Sequence, residues 1–116
     1  MQVPTQAMLL RIFIGEDDRA EDRPLYEAIV LKAREAGLAG ATAWRGGMGF
    51  GRSSVLHTMK LLRLSEDLPV IVEIVDAEAK IRAFLPTLHG LMDGGLVTME
   101  KVEVLKYGSD ASATDR

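Results

Sequence analysis

The stretch Pro69-Val-Ile-Val-Glu-Ile-Val-Asp76 decides the fold, because between Pro69 and Asp76 every residue except Glu73 is a β-branched apolar side chain. Two substituents on Cβ suit a pleated strand better than a helix, so the segment reads as a strand. Residues two apart share a face, which sets Val70, Val72 and Ile74 against Ile71 and Val75. A strand that is apolar on both faces belongs inside a sheet covered on both sides. Residues 6–14 have the same character: Leu10, Ile12 and Ile14 oppose Leu9 and Phe13, and Gly15 ends the run. Arg11 and Glu73 are the lone charges within these two runs. If the strands are antiparallel neighbours, both charges can lie on one face and pair there.

Outward from these strands the period changes. Leu25, Ala28, Ile29, Ala33 and Ala36 recur at helical spacing, with Asp22, Arg23 and Pro24 supplying a cap and first turn and Gly37 a left-handed stop. Residues 41–45 read as a short strand and 61–64 as a further extended piece. Asp76 is expected to cap a second helix, in which Ile81, Phe84, Leu85, Leu88, Leu91 and Met92 keep their spacing through Pro86 until Gly94 and Gly95. Residues 96–107 mix Val and Leu with Thr, Glu and Lys, as a half-exposed last strand does. The order strand, helix, strand, long loop, strand, helix, strand is that of an α+β protein, the ferredoxin-like split βαβ sandwich with an antiparallel sheet and two helices on one face. Two helices cover one face only. The apolar second face therefore calls for a second copy, in a closed homo-oligomer.

The chain of 116 residues fits a single domain, 1–116, with flexible ends expected at 1–5 and 108–116. Fourteen basic against seventeen acidic residues create no field that would collect nucleic acid or an anionic membrane surface. No apolar run approaches the roughly 20 residues of a membrane helix, and no basic segment precedes an apolar one at the N-terminus, so neither membrane insertion nor secretion is expected. Cysteine is absent, which removes disulfides, thiolate catalysis and cysteine zinc sites and is compatible with a cytoplasmic location.

Arg45-Gly-Gly-Met-Gly-Phe-Gly-Arg52 places four glycines between two arginines. Backbone amides freed of side chains can converge on an anion, and guanidinium groups can grip a phosphate with two donors. On pattern alone a flexible connection or a set of bulges explains the glycines more simply. The two histidines, His57 and His89, lie far apart in sequence, so a metal site would need carboxylates such as Glu66, Asp67 or Asp93. The carboxylates of Gly15-Glu-Asp-Asp-Arg19 read as a solvated turn rather than a cation site. Ser53, Ser54 and Ser65 have no neighbouring base, and neither Gly-x-Ser-x-Gly nor Ser-x-x-Lys occurs, so no catalytic residue is assigned and an enzyme is not expected.

Leu10-Arg-Ile-Phe-Ile-Gly-Glu16, Arg23-Pro-Leu-Tyr-Glu-Ala-Ile29, Gly37-Leu-Ala-Gly-Ala-Thr42, Gly49-Phe-Gly51, His57-Thr58 and the segment leading through Leu68 and Pro69 to Asp76 resemble the PII-like family catalogued as a domain of unknown function. The wider resemblance is to PII nitrogen-regulatory signalling proteins. It implies a cytoplasmic homotrimer that takes ATP, ADP or AMP as an effector in clefts between subunits. It also implies that a T-loop-like segment, here 45–59, acts on a partner protein such as a membrane transporter. Carried over by position, Thr42 lies against an adenine, and Gly49, Phe50 and Gly51 line the phosphates. Gly94 and Gly95 form the second glycine turn, without the lysine that PII proteins aim at phosphates there. Arg45, Arg52 and the Gly47 amide are the donors left to take that part. Ser53 and Val70 stand where PII proteins carry a glutamine and a lysine for metal and 2-oxoglutarate, which argues against that ligand. The expected function is regulatory, with no cofactor required; the alternative is a metal-binding trimer using His57 and carboxylates.

Overall fold

The computed structural model describes residues 3–51, 57–58 and 67–108. Strand β1 (Gln6–Gly15) is followed by a two-residue hairpin, β2 (Arg19–Ala20) and β3 (Arg23–Pro24), and by helix α1 (Leu25–Glu35). Then come β4 (Thr42–Arg45), β5 (Met48–Gly49), β6 (His57–Thr58), β7 (Pro69–Asp76), helix α2 (Glu78–Leu91) and β8 (Leu96–Glu103). The main sheet has the order β4-β7-β1-β8, all neighbours antiparallel, with the two doubly apolar strands at its centre. This is the split βαβ sandwich that the order of elements implied.

Both helices pack on the face that carries Leu10, Ile12, Ile14, Val70, Val72 and Ile74. Leu25, Ile29 and Ala33 of α1 and Ile81, Phe84 and Leu88 of α2 join them in one core. The helix residues recur three or four apart and the strand residues two apart, the two periods that bring apolar stripes together. Gly37 at φ +76 stops α1 in the left-handed conformation, and Leu38 N–H closes back on the Ala33 carbonyl at 3.1 Å.

Three local expectations need correction. Asp22 does not cap α1: Glu21 and Asp22, at φ +53 and +64, form the tight turn that joins β2 to β3, and the cap position belongs to Pro24. Two consecutive positive-φ residues give the twist a two-residue hairpin requires. Asp76 does not cap α2 either. It is the fully buried last residue of β7, and Ala77 holds the cap position. Finally, β8 stops at Glu103 rather than running to residue 107. From there 104–107 forms a strap along the β1 N-terminal end of the sheet. Val104 N–H donates to the Thr5 carbonyl at 2.7 Å, and the Tyr107 hydroxyl donates to the Ala39 carbonyl at 2.7 Å, on the approach to the opposite edge strand β4. The extended piece expected at 61–64 lies outside the described residues, as do 109–116 and, within 45–59, residues 52–56 and 59.

Candidate functional site

The face of the sheet turned away from the helices is built in rungs by the strand register. Trp44, Ile71, Phe13 and Leu96 lie side by side across all four strands, and the next rung is Thr42, Glu73, Arg11 and Thr98. The first rung is apolar, yet in the single chain Phe13 is 37%, Trp44 50% and Leu96 56% exposed. The second holds the expected pair: Arg11 Nε donates to Glu73 Oε2 at 2.7 Å, and Arg11 also reaches Glu100 at 3.5 Å. One guanidinium thus sits between two carboxylates in the middle of an apolar face.

Below these rungs a cavity of about 840 Å³ opens between the face and the strap. Leu9, Val75 and Val102 give it apolar walls, Arg11, Glu73 and Thr42 a polar margin, and Lys106 and Tyr107 its outer edge. The segment that delivers Thr42 is held on several sides. Asp76 Oδ2 accepts from Ala39 N–H at 2.9 Å, Tyr107 holds the carbonyl of the same residue, and Lys80 Nζ donates to the Gly37 carbonyl at 3.0 Å. Asp76 Oδ1 also accepts from Ala77 N–H at 2.7 Å, so a buried carboxylate finds donors from two chain segments.

The remaining candidates lie elsewhere. Arg45 ends β4 opposite Val70, on the Gly15 side of the sheet, and makes a 3.0 Å ion pair with Glu16. Beyond it the chain folds onto Pro69: Gly46 N–H donates to the Pro69 carbonyl at 2.7 Å, and β5 pairs with β6 through Met48 with Thr58 and Gly49 with His57. A Cβ on Gly46 would stand 3.0 Å from Pro69 Cγ and one on Gly49 3.3 Å, so both glycines pack tightly on a proline ring. Gly47, Phe50 and Gly51 follow on the exposed side, Phe50 being 70% exposed, and Arg52 lies outside the described residues. Gly94 and Gly95 precede β8 at the opposite edge. Gly95 is a turn glycine, with φ +104 and an added Cβ only 2.8 Å from the Phe13 carbonyl oxygen. With β7 and β1 between them, β4 and β8 are about 14 Å apart at a spacing of about 4.8 Å per strand. A single copy therefore gathers Thr42 with Lys106, but does not gather Arg45 with Gly94 and Gly95.

Lys106 is the cavity-lining residue that sequence reasoning missed, because a lysine at a strand end reads as a solvated surface charge until the strap brings it to the cavity that Thr42 also lines. Glu16 was read as part of a solvated turn, whereas its carboxylate is engaged with Arg45. The rest of that turn is held from within and from outside: Asp18 Oδ2 accepts from Gly15 N–H at 2.9 Å, and Asp67 Oδ1, from the approach to β7, accepts from Asp17 N–H at 2.8 Å. Among the described residues no group of three or more His, Asp and Glu is placed to hold a metal. The side chain of His57, the alternative ligand, lies outside the described part, and His89 is exposed in the last turn of α2. Among the described residues no helix is long and apolar enough to cross a membrane.

A ferredoxin-like sheet with one helix-free face and a glycine-rich connection after the short edge strand β4 places the chain in a PII-like class of fold. The chain is similar in structure to CPII, a nitrogen regulatory PII-like protein from Thiomonas intermedia K12, bound to ADP, AMP and bicarbonate. The TM-score is 0.59 at 16% sequence identity, over 85% of this chain and 88% of that one. Residues 7–104 match the DUF190 family, described as an uncharacterized ACR, and the chain belongs to that family. Relatives include a UPF0166 protein of Aquifex aeolicus (strain VF5), 44% identical over 97 residues that make up 84% of this chain and 91% of the relative. UPF0166 protein MJ1524 of Methanocaldococcus jannaschii is 34% identical over 102 residues, 87% of this chain and 94% of the relative.

Proposed function

We propose that this chain is a PII-like regulatory protein, not an enzyme, that forms a homotrimer through its open sheet face. In this reading it binds an adenine nucleotide between copies and reports occupancy through the 45–59 loop to a partner protein. The observation that carries the reading is the separation of its parts. Thr42 and Lys106 share one cavity, while Arg45 with the Gly47, Gly49 and Gly51 amides lies at the other end of β4 and Gly94 and Gly95 lie at the far sheet edge. Contact between the β4 edge of one copy and the β8 edge of the next would bring these groups onto one ligand. The apolar rung of Trp44, Ile71, Phe13 and Leu96 supplies the surface for that contact. Fold likeness to a protein bound to ADP and AMP supports the ligand class.

Binding would order the glycine-rich loop, and an ordered loop would favour or block the partner by shifting a population that already exists. The cytoplasm is the compartment where such an effector and partner meet. Light scattering should return three chain masses at micromolar concentration. Calorimetry should then show ATP, ADP or AMP binding without turnover. A monomer, or no binding of any of the three at millimolar concentration, would end the reading; heat from divalent metal alone would favour the His57 alternative.

A further inference from the structure

The ion pair between Arg45 and Glu16 ties the start of the glycine-rich connection to the turn after β1, and it engages a guanidinium counted among the anion's donors. The Arg45 Nη2 to Glu16 Oε2 distance is 3.0 Å. Glu16 is the more confined partner, its side chain 23% exposed against 58% for Arg45. Its backbone is fixed independently, since Glu16 N–H donates to the Leu68 carbonyl at 2.8 Å and the next amide is held by Asp67. The two side chains, with Tyr26, Ala43, Trp44 and Val70, line a small cavity of about 160 Å³ at the edge of β4. A carboxylate on a fixed backbone beside an exposed guanidinium occupies the position that an incoming phosphate or carboxylate oxygen would take on that guanidinium, since both offer the same paired acceptors.

Resting on the anion-binding reading above, we propose that Glu16 is an internal competitor for Arg45, an affinity-setting latch that an anionic effector must displace. When the effector takes the guanidinium, the tie between the β1 turn and the loop base is released. Occupancy of the site and this one tie therefore change together, while the Gly46 N–H bond to the Pro69 carbonyl keeps its own hold on the loop base. The exchange of one carboxylate for one phosphate needs no other movement of the sheet. It adds a fixed handicap to effector affinity, of the size an exposed ion pair has.

The test is calorimetry with ADP on the full chain and on Glu16→Gln, Arg45→Gln and the double variant. Glu16→Gln, which keeps the shape and removes the charge, should bind ADP about two- to fivefold more tightly than the unaltered chain. Arg45→Gln should weaken binding, and in that background the gain from Glu16→Gln should vanish, because nothing is left to release. Light scattering on each variant checks that the assembly is unchanged. If Arg45→Gln weakens ADP binding but Glu16→Gln leaves it equal or weaker, the latch is wrong and the anion site stands. If Arg45→Gln has no effect on ADP binding, the anion does not sit on Arg45 and the latch falls with that assignment. Absence of ADP binding by all four proteins overturns the nucleotide reading, and the latch with it.

Discussion

Glu73→Ala measures whether the open face is covered in solution. In the single chain the Arg11 and Glu73 side chains are 33% and 30% exposed and joined at 2.7 Å. If that face stays in water, the pair behaves as a surface ion pair, and its loss costs about 0.2–1 kcal/mol. If another copy lies over the Trp44, Ile71, Phe13 and Leu96 rung, the same substitution leaves Arg11 in a dry interface. Its remaining contact is then Glu100, at 3.5 Å and with a side chain 61% exposed in the free chain. Breaking one side of a buried pair costs about 3–5 kcal/mol, and the residual contact places the expected value near the lower end, about 3 kcal/mol per chain. With a urea slope of about 1–3 kcal/mol per molar, the midpoint should fall by roughly 1–3 M. The assay is equilibrium urea denaturation at two protein concentrations well apart, because unfolding of an assembly depends on protein concentration. A loss under about 1 kcal/mol together with a concentration-independent midpoint would refute the buried pair and the covered face at once.

Asp76→Ala removes the acceptor for Ala39 and Ala77 and the 3.8 Å partner of Lys80, and should destabilise by about 3 kcal/mol, with hydrogen exchange rising around Ala39; an ordinary surface effect in denaturation would contradict the clamp. Gly95→Ala forces a Cβ to within 2.8 Å of the Phe13 carbonyl at φ +104 and should cost about 2 kcal/mol or more. Gly51→Ala meets open space and should leave the melting temperature nearly unchanged; equal losses for the two glycines would undo this contrast. Arg52→Ala should weaken nucleotide binding about ten- to a hundredfold and Lys101→Ala, at an exposed position of β8, hardly at all; calorimetry showing equal affinities would remove Arg52 from the phosphate role.

What the sequence disclosed follows from where its signals are local. The doubly apolar strands β1 and β7 could be read because alternation repeats over many residues. The Arg11 and Glu73 pairing could be read because each is the lone charge in its run, so only one register satisfies both. Gly37 announced the end of α1 because few residues accept its backbone angle. Asp22 and Asp76 misled for the same reason as each other: an aspartate before a helical run looks like a cap whatever its carboxylate binds. Asp22 is taken by a hairpin turn too short to leave a strand pattern, and Asp76 by Ala39, thirty-seven residues earlier. Lys106 and the strap were hidden because 104–107, Val-Leu-Lys-Tyr, keeps a strand-like composition after the hydrogen-bonded ladder has ended. In the candidate site, Gly46 and Gly49 show that glycine content alone does not identify an anion cradle, since both pack closely on the Pro69 ring.

The strap gives the open face a direction. One end of the face is walled by 104–107 and the other runs freely into the apolar rung, so the surface has no mirror between top and bottom. Identical molecules that use such a surface cannot meet equally well head-up and head-down. Copies that met through it in the same sense would make a head-to-tail contact, which closes into a ring only where the rotation between neighbours allows. Four residues past the last strand would thus bear on how copies could meet, although they add little to the core that holds one copy together.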